Sequence, residues 1–574
     1  MICWLALTAI AADTLAPEAP DWIAPVLQQQ LQRNVEQLSL PEAPPLYHLR
    51  YQLLQLGQID TAASMGALVW HSTEALSSLG VEVRVGTPQV DNTGFGGWQD
   101  GFGRVSLPVH LTPGALANHA WRLTDSAYKE AVEQRARKLA QWTPPADHPG
   151  DYTLTGPVVA DLGTATPFPQ PELLAKRVAQ LSRTLITNPP LLRGELYLGH
   201  EAGSLRIVDS EGTDVRIPME ETTIRAVAAL RASDGALLTD QRLWMVRGAD
   251  ALPPDAELQT QLAELRDELI AAGQATPLQE EYVGPVLFEG EAARALFRYV
   301  LVPQLEGTPP QIPFDSFFGD LGDDRDPARL GRRVLPGGWT AVDDPRAHLD
   351  HPAGRLHDHE GSPTERVELI ADGIVRDLAM GRVPRRGLDG DGNGHAHSRL
   401  GARQEGRVSA LQISPDRQRS RASLRRRALR LARDYGRDHV LVVRRLQEPS
   451  ILRLADGTWF DDALSGTALP PPVVLIQLHT DGREELLRGA SFASIQRWIL
   501  RDIVAAGPSS EGSYLAPMGT SYAALAPTQG IASWISAPDV LVGEVELVPV
   551  AGDPQDVPAV PPPSPPTPPS PPTP

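Results

Sequence analysis

Cysteine is almost missing from this 574-residue chain, with Cys3 alone. No intrachain disulfide can form, and thiolate catalysis or a thiolate metal site is excluded from the folded body. No apolar run reaches the roughly 18 residues of a membrane-crossing helix, so no internal transmembrane segment is expected. Positive charge is in deficit, at a formal net charge of −19, which argues against broad nucleic-acid binding. A G-x-S-x-G elbow is absent, so a Ser-His-Asp site cannot be argued. The glycine-rich tract Asp91–Gly103 lacks the GxxxxGK[ST] spacing of a phosphate loop and reads as a surface loop.

What remains is the composition of a globular protein, 41% apolar and 21% charged. The chain is too long for one core, so two to four domains are expected. Residues 1–20 contain ICWLALTAIAADT, similar to the apolar region of a secretory signal, with Ala9-Ile10-Ala11 as an A-x-A step but no Lys or Arg ahead of it. Both a cytoplasmic and an exported, periplasmic location stay open, and so does a misplaced start or a short buried segment. Residues 553–574 end in PPPSPPTPPSPPTP, an extended, disordered tail without a core.

Periodicity predicts helices at Trp22–Leu38, Asp125–Trp142 (capped by Asp125), Leu173–Ile186, Asp255–Ala272 and Phe492–Ala505. Strands are expected at Leu46–Gly57 and Val81–Val85, the latter alternating and half-buried. Ser64–Leu76 reads as a strand or a short helix. Leu205–Val208, Asp214–Ile217, Thr223–Leu230 and Leu237–Val246 form an antiparallel meander. Val367–Ile370 and Ile374–Ala379 make a hairpin across Ala371-Asp372-Gly373, and further strands lie at His439–Leu446, Ile451–Leu454, Val473–Leu478, Glu484–Leu487 and Leu541–Val548. The fold class is therefore α+β and multi-domain. The expected regions are 21–115, an N-terminal α/β region; 116–275, a central helix with the meander; and 276–552, a β-rich C-terminal domain.

One stretch organises the rest. In Glu281–Leu301 the apolar strand Val283–Phe288 runs through a Gly-Glu step into a helix burying Ala292, Ala293, Leu296, Phe297 and Val300. Two rigid elements joined so tightly suit the mounting of catalytic groups. Yet the helix has no histidine, and its charged residues are Glu291, Arg294 and Arg298.

Three other clusters carry chemistry in principle. His348, His351, His357 and His359, with Asp350, Asp358 and Glu360, have metal-ligand chemistry, and His357 and His359 would share a strand face. HExxH and HxxE spacings are absent there, so solvated surface histidines are the plainer reading. Asp389-Gly390-Asp391-Gly392-Asn393-Gly394 opens like a calcium loop, but its twelfth position is Leu400 rather than a carboxylate, and a glycine-rich turn is the default. The arginine-rich segment Arg417–Arg433 has an apolar stripe of Leu424, Ala428, Leu431 and Ala432, so its arginines read as the wet face of a helix. No aromatic residues interleave to stack bases.

Several segments together resemble the TldD/PmbA family of TldD/TldE peptidase subunits. They are VEVRVGTPQVDNT (81–93), LTDSAYKEAVEQRARKLA (123–140), DSEGT (209–213), YVGPVLFEGEAA (282–293), DHEGSPTERVELIADGIVRDLAMGRVPR (358–385), NGH (393–395) and DGREELLRGASF (481–492). The order and spacing of these segments carry the likeness. The resemblance implies paired subunits and an enclosed cavity for unfolded peptide. It also implies, in catalytic members, a HExxxH helix after the GPVLFEGEAA-like strand, with two His and a later Cys on zinc and the Glu as general base. Here the equivalent helix reads Leu296, Phe297, Arg298, Tyr299, Val300, and no cysteine follows. No catalytic residue and no resident metal is therefore assigned. The expectation is a TldE/PmbA-type subunit lacking the zinc motif, a homodimer or a heterodimer with a catalytic TldD-like paralogue. Two alternatives remain: an active peptidase with zinc relocated to His348, His351, His357, His359 or His395, and an exported binding or scaffold protein.

Overall fold

The computed structural model describes residues 21–96, 100–188, 191–312, 315–316, 319–320, 328–388, 390, 392–398, 403–449, 469–493, 495, 497–516 and 530–553. The signal-like segment, the strand expected at Ile451–Leu454, much of the Pro-rich tail, and Asp389, Asp391 and Leu400 of the calcium-like loop lie outside them.

The N-terminal half of the chain opens with α1 (Ile23–Gln37), followed by β1 (Leu46–Ser64), β2 (Ala67–Val85), β3 (Phe102–Ser106), α2 (Pro113–Gln141), β4 (Val159–Asp161) and α3 (Pro171–Ser182). Then come β5 (Arg193–Asp209), β6 (Asp214–Arg231), β7 (Leu237–Val246) and α4 (Asp255–Gln274). The described strands form a seven-stranded sheet ordered β3-β2-β1-β5-β6-β4, with β7 also on β6. Regions 21–115 and 116–275 thus share one sheet. Ser64–Leu76 is strand, because β1 and β2 are a single hairpin whose two-residue turn, Met65-Gly66, has positive φ at both positions (47° and 91°). That mirror-image turn matches the strand twist. Leu237–Val246 is β7 with the expected bounds, whereas Leu205–Val208 is the end of the longer β5 and the two expected strands Asp214–Ile217 and Thr223–Leu230 are one, β6, which runs through Pro218 without interruption.

The helix α2 begins at Pro113, with Thr112 as its cap: the Thr112 hydroxyl accepts from the Ala115 amide at 3.2 Å. Asp125 lies inside the helix and pairs with Lys129 at 2.6 Å, so its expected capping role is corrected. Thr112→Ala should cost about 1 kcal/mol, read as a small fall in the urea midpoint. Leu116, Ala120, Tyr128 and Ala131 of α2 pack on Leu49, Tyr51, Val81 and Val83 of the hairpin. Asp91–Gly103 is not simply a surface loop. Asp91 and Asn92 are fully buried, and the Asn92 amide bonds Val85 N, Val83 O and Asp100 O.

The rest of the chain supplies β8 (Thr276–Pro277), β9 (Tyr282–Phe288), α5 (Glu291–Val300), β10 (Asp315–Ser316), β11 (Gly319–Asp320), β12 (Trp339–Asp343), β13 (Val367–Ala371), β14 (Ile374–Val375), β15 (Ala396–His397), β16 (Glu405–Gly406) and β17 (Ala410–Pro415). It continues with α6 (Arg421–Asp434), β18 (His439–Leu446), β19 (Pro472–His479), β20 (Glu484–Arg488), β21 (Ala490–Phe492), β22 (Ile503–Ala516) and β23 (Ile531–Pro549). The main sheet runs β14-β13-β12-β17-β23-β9-β18-β19-β20-β8, and β21 and β22 also pair with β23. The helix expected over Phe492–Ala505 is instead β21, a 3-10 turn at Arg497–Asp502 and the start of β22. Ile495, Ile499, Leu500 and Ile503 are all buried, and their spacing imitates a helical stripe. The arginine-rich segment is α6, with Leu424, Ala428 and Ala432 buried and Arg425 held bidentately by Glu289 at 2.7 Å.

The two sheets are joined by a shared core. Leu258, Leu262, Leu265 and Leu269 of α4 lie in one cluster with Leu198 and Ile224 of the first sheet and Val440, Val442 and Ile476 of the second. Each such fully buried side chain contributes on the order of 1.5–3 kcal/mol. The architecture is α+β.

Candidate active-site helix and the cleft between the sheets

The strand β9 is central, flanked by β23 and β18. Gly290, at φ 56°, turns it into α5, and its amide donates to Asp539 Oδ1 at 2.7 Å. The helix buries Ala292, Ala293, Leu296, Phe297 and Val300, with the Phe297 ring 6.1 Å from that of Trp339. Its two arginines and its tyrosine are already engaged. Arg294 Nη1 donates to Ser510 Oγ at 2.7 Å. Arg298 donates to Glu448 Oε2 at 2.8 Å and to the Leu515 carbonyl at 3.0 Å, and lies 4.9 Å over the Tyr514 ring. The Tyr299 hydroxyl donates to the same Glu448 oxygen at 3.2 Å. Burial alone would raise the Glu448 carboxyl, but Arg298 and Arg225 outweigh it and hold it low.

A zinc ion does not fit these residues. Beyond Glu291 in its first turn, the helix offers guanidinium groups where a dication would need neutral or anionic donors, and Leu296, Phe297 and Val300 are turned into the core.

The five histidines singled out above are scattered in their roles. The His348 ring lies 3.9 Å from Trp534. His351 Nε2 contacts Ser513 Oγ at 2.8 Å, and burial lowers the ring to about 4. His395 is fully buried, 3.0 Å from Asp343 and 2.9 Å from the Asn393 carbonyl. His359 accepts from the Ser398 amide at 3.2 Å, and burial, with Arg355 nearby, lowers it to about 3. His357 sits in an isolated bridge to Pro363 rather than on a regular strand. His357 and His359 border the same cleft, as does His397, whose ring is 4.0 Å from that of His359.

Among the described residues, the one trio with ligand atoms within 4.8 Å of each other is His48, Asp209 and Glu211. A cation is already there: the Arg382 guanidinium pairs with Glu211 and stands 3.5 Å from Asp209. Burial lowers His48, whereas Glu211 is lowered to about 2, since His48 and Arg382 overcome its desolvation.

This trio belongs to a larger buried network that sequence reasoning missed. Arg50 of β1 pairs with its cross-strand partner Glu82, reaches Glu360 at 3.4 Å and donates to Gln404 at 2.9 Å. Arg84 bridges Glu82 at 2.7 Å and Asp91 at 2.8 Å, and Lys138 binds Asp151 at 2.6 Å. The polar positions of Val81–Val85 therefore face protein: Glu82 and Arg84 are each 2% exposed, which corrects the half-buried reading. Opposite charges at facing registers of β1 and β2 were the available signal.

A cleft of about 250 Å³ opens between the first sheet and the loops of the second half. Its lining combines apolar Leu54, Leu56, Ile217 and Met219, acidic Glu201, Glu220 and Glu221, and Arg247, Arg355 and the histidines, with Arg247 close to Glu220 and Glu221.

Three solved structures share the fold over nearly the whole chain. TldE from Thermococcus kodakarensis matches at 13% identity and TM-score 0.55, covering 91% of this chain and all of that one. A Thermotoga maritima MSB8 protein, proposed as a modulator of a DNA gyrase, matches at 12% and 0.57, covering 91% and 99%. A Bacteroides thetaiotaomicron VPI-5482 protein proposed in the same role matches at 11% and 0.57, covering 92% and 100%. No curated protein matches the chain by sequence. Residues 280–443, from just before β9 into β18, match the family described as PmbA/TldA metallopeptidase C-terminal domain, and that match supports the resemblance to the TldD/PmbA family.

Proposed function

We propose that this chain is a non-catalytic TldD/PmbA subunit that holds an extended, unfolded peptide in the cleft between its sheets and works in a dimer, with a zinc-bearing paralogue supplying the chemistry. The observation that carries this reading is α5, where Arg294 and Arg298 are locked to Ser510 and Glu448. The resemblance places metal-binding histidines on this helix in catalytic members. The largely apolar lining of the cleft, with charge of both signs within it, suits a peptide whose side chains alternate in character.

The test is direct. The purified chain should bind a fluorescein-labelled unstructured peptide by anisotropy and leave it intact, with or without a chelator. Co-expression with a HExxxH-bearing paralogue should give a co-purifying pair whose cleavage the chelator stops. Chelator-sensitive cleavage by the purified chain alone would overturn the reading.

A further inference from the structure

The cleft contains an arginine whose bonding is half complete. Arg355 Nη1 is tied to His397 Nδ1. Its Nε and Nη2 have no hydrogen-bond partner and are shielded from bulk water. These two nitrogens form the side-by-side edge of a guanidinium that meets a carboxylate bidentately. The nearest protein carboxylates are committed elsewhere. Asp343 accepts from the Ser409 and Ala410 amides, and Asp358 from those of Glu360, Ser362 and Ala396. His357, on the same cleft, also has an unpartnered Nδ1. Burial and Arg346 favour its neutral form, which can donate one N–H. Arg247, bonded to the His351 and Gly354 carbonyls, adds positive charge on this side.

We propose that the Nε/Nη2 edge of Arg355 receives the α-carboxylate of the bound peptide, so that the cleft selects segments with a free carboxyl terminus. The proposal rests on the peptide-binding reading above and names its ligand class. Charge complementarity supplies the occupant: a buried cation with an unfilled carboxylate edge belongs to the lining of a largely apolar cleft. Glu201, Glu220 and Glu221 also line the cleft and repel further carboxylates along the segment, which favours a chain end over an acidic side chain. Burial, with Arg247 close by, lowers Arg355 to about 10, so it remains charged at neutral pH.

The experiment compares three labelled peptides on the full-length protein by anisotropy. One ends in a free acid, one has the same sequence ending in an amide, and one is the amide with a single interior Glu. The acid should bind about 10-fold or more tightly than either amide. Arg355→Gln should erase that difference between acid and amide. Equal binding of acid and plain amide by the native protein would overturn the proposal while leaving peptide binding intact. Binding of the interior-Glu amide as tight as that of the acid would also overturn it. No binding of any peptide would sink the functional reading itself. The native-protein comparison needs no variant, so it decides even if Arg355→Gln folds poorly.

Discussion

Arg298→Met should lower the stability of the C-terminal domain by about 3–5 kcal/mol, as expected when one partner of a buried ion pair is removed. The methionine fills similar space, so little of the loss comes from packing. What remains is the Glu448 carboxylate, largely buried beside Tyr299 with Arg225 as its remaining counter-charge. The companion variant Arg298→Met/Glu448→Leu should recover more than half of the loss, because replacing both charges removes the stranded one. Urea denaturation followed by circular dichroism checks both. A single variant as stable as the native chain would show that Arg225, water or a counter-ion balances Glu448 without Arg298.

Glu82→Gln should cost roughly 3 kcal/mol through the same principle at the other end of the molecule. Glu82 balances Arg50 and Arg84 together. Part of the balance survives, since Arg50 keeps Glu360 and Arg84 keeps Asp91. The pH signature distinguishes this loss from a packing defect. Burial acts to raise the Glu82 carboxyl, but Arg50, Arg84 and Arg403 hold it well below its ordinary value of 4.5. Its stabilisation is therefore fully present above the unfolded-state pKa and is lost as pH falls through the folded one. Native protein should lose stability steeply below about pH 4, and Glu82→Gln less steeply, as read from urea midpoints across pH 3–7.

Elements with a strong local signal could be read directly. The helix α4 repeats leucine at a spacing that admits one buried stripe, and β9–α5 joins an apolar strand to an amphipathic turn. Asp372-Gly373 marks a tight hairpin, with φ of 49° and 72°. The failures share a cause, which is that burial by distant chain mimics or masks local periodicity. Ile495, Ile499 and Ile503 are buried by strands, so helical spacing misled there. Glu82 and Arg84 alternate with valines as solvent-facing residues would, yet residues some 300 positions away enclose them. The short strands β12 and β17 have five and six residues, too few to show a period. The absence of histidine from α5 was visible in the sequence. Arg355 was not, because an arginine beside a histidine-rich loop reveals nothing about which of its nitrogens lack an acceptor.

The strand β23 has a consequence for how the molecule is made. It is hydrogen-bonded to β9, β17, β21 and β22, yet it emerges from the ribosome roughly 240 residues after β9. Until then β9 and β17 present bare backbone along one side, a lasting invitation to wrong partners. The first sheet waits less long, since the partner that β1 needs, β5, follows it by roughly 130 residues and the remaining long strands are consecutive. Synthesis should therefore yield a finished amino-terminal half carrying a nascent, unclosed remainder, and chaperone dependence should concentrate in that interval.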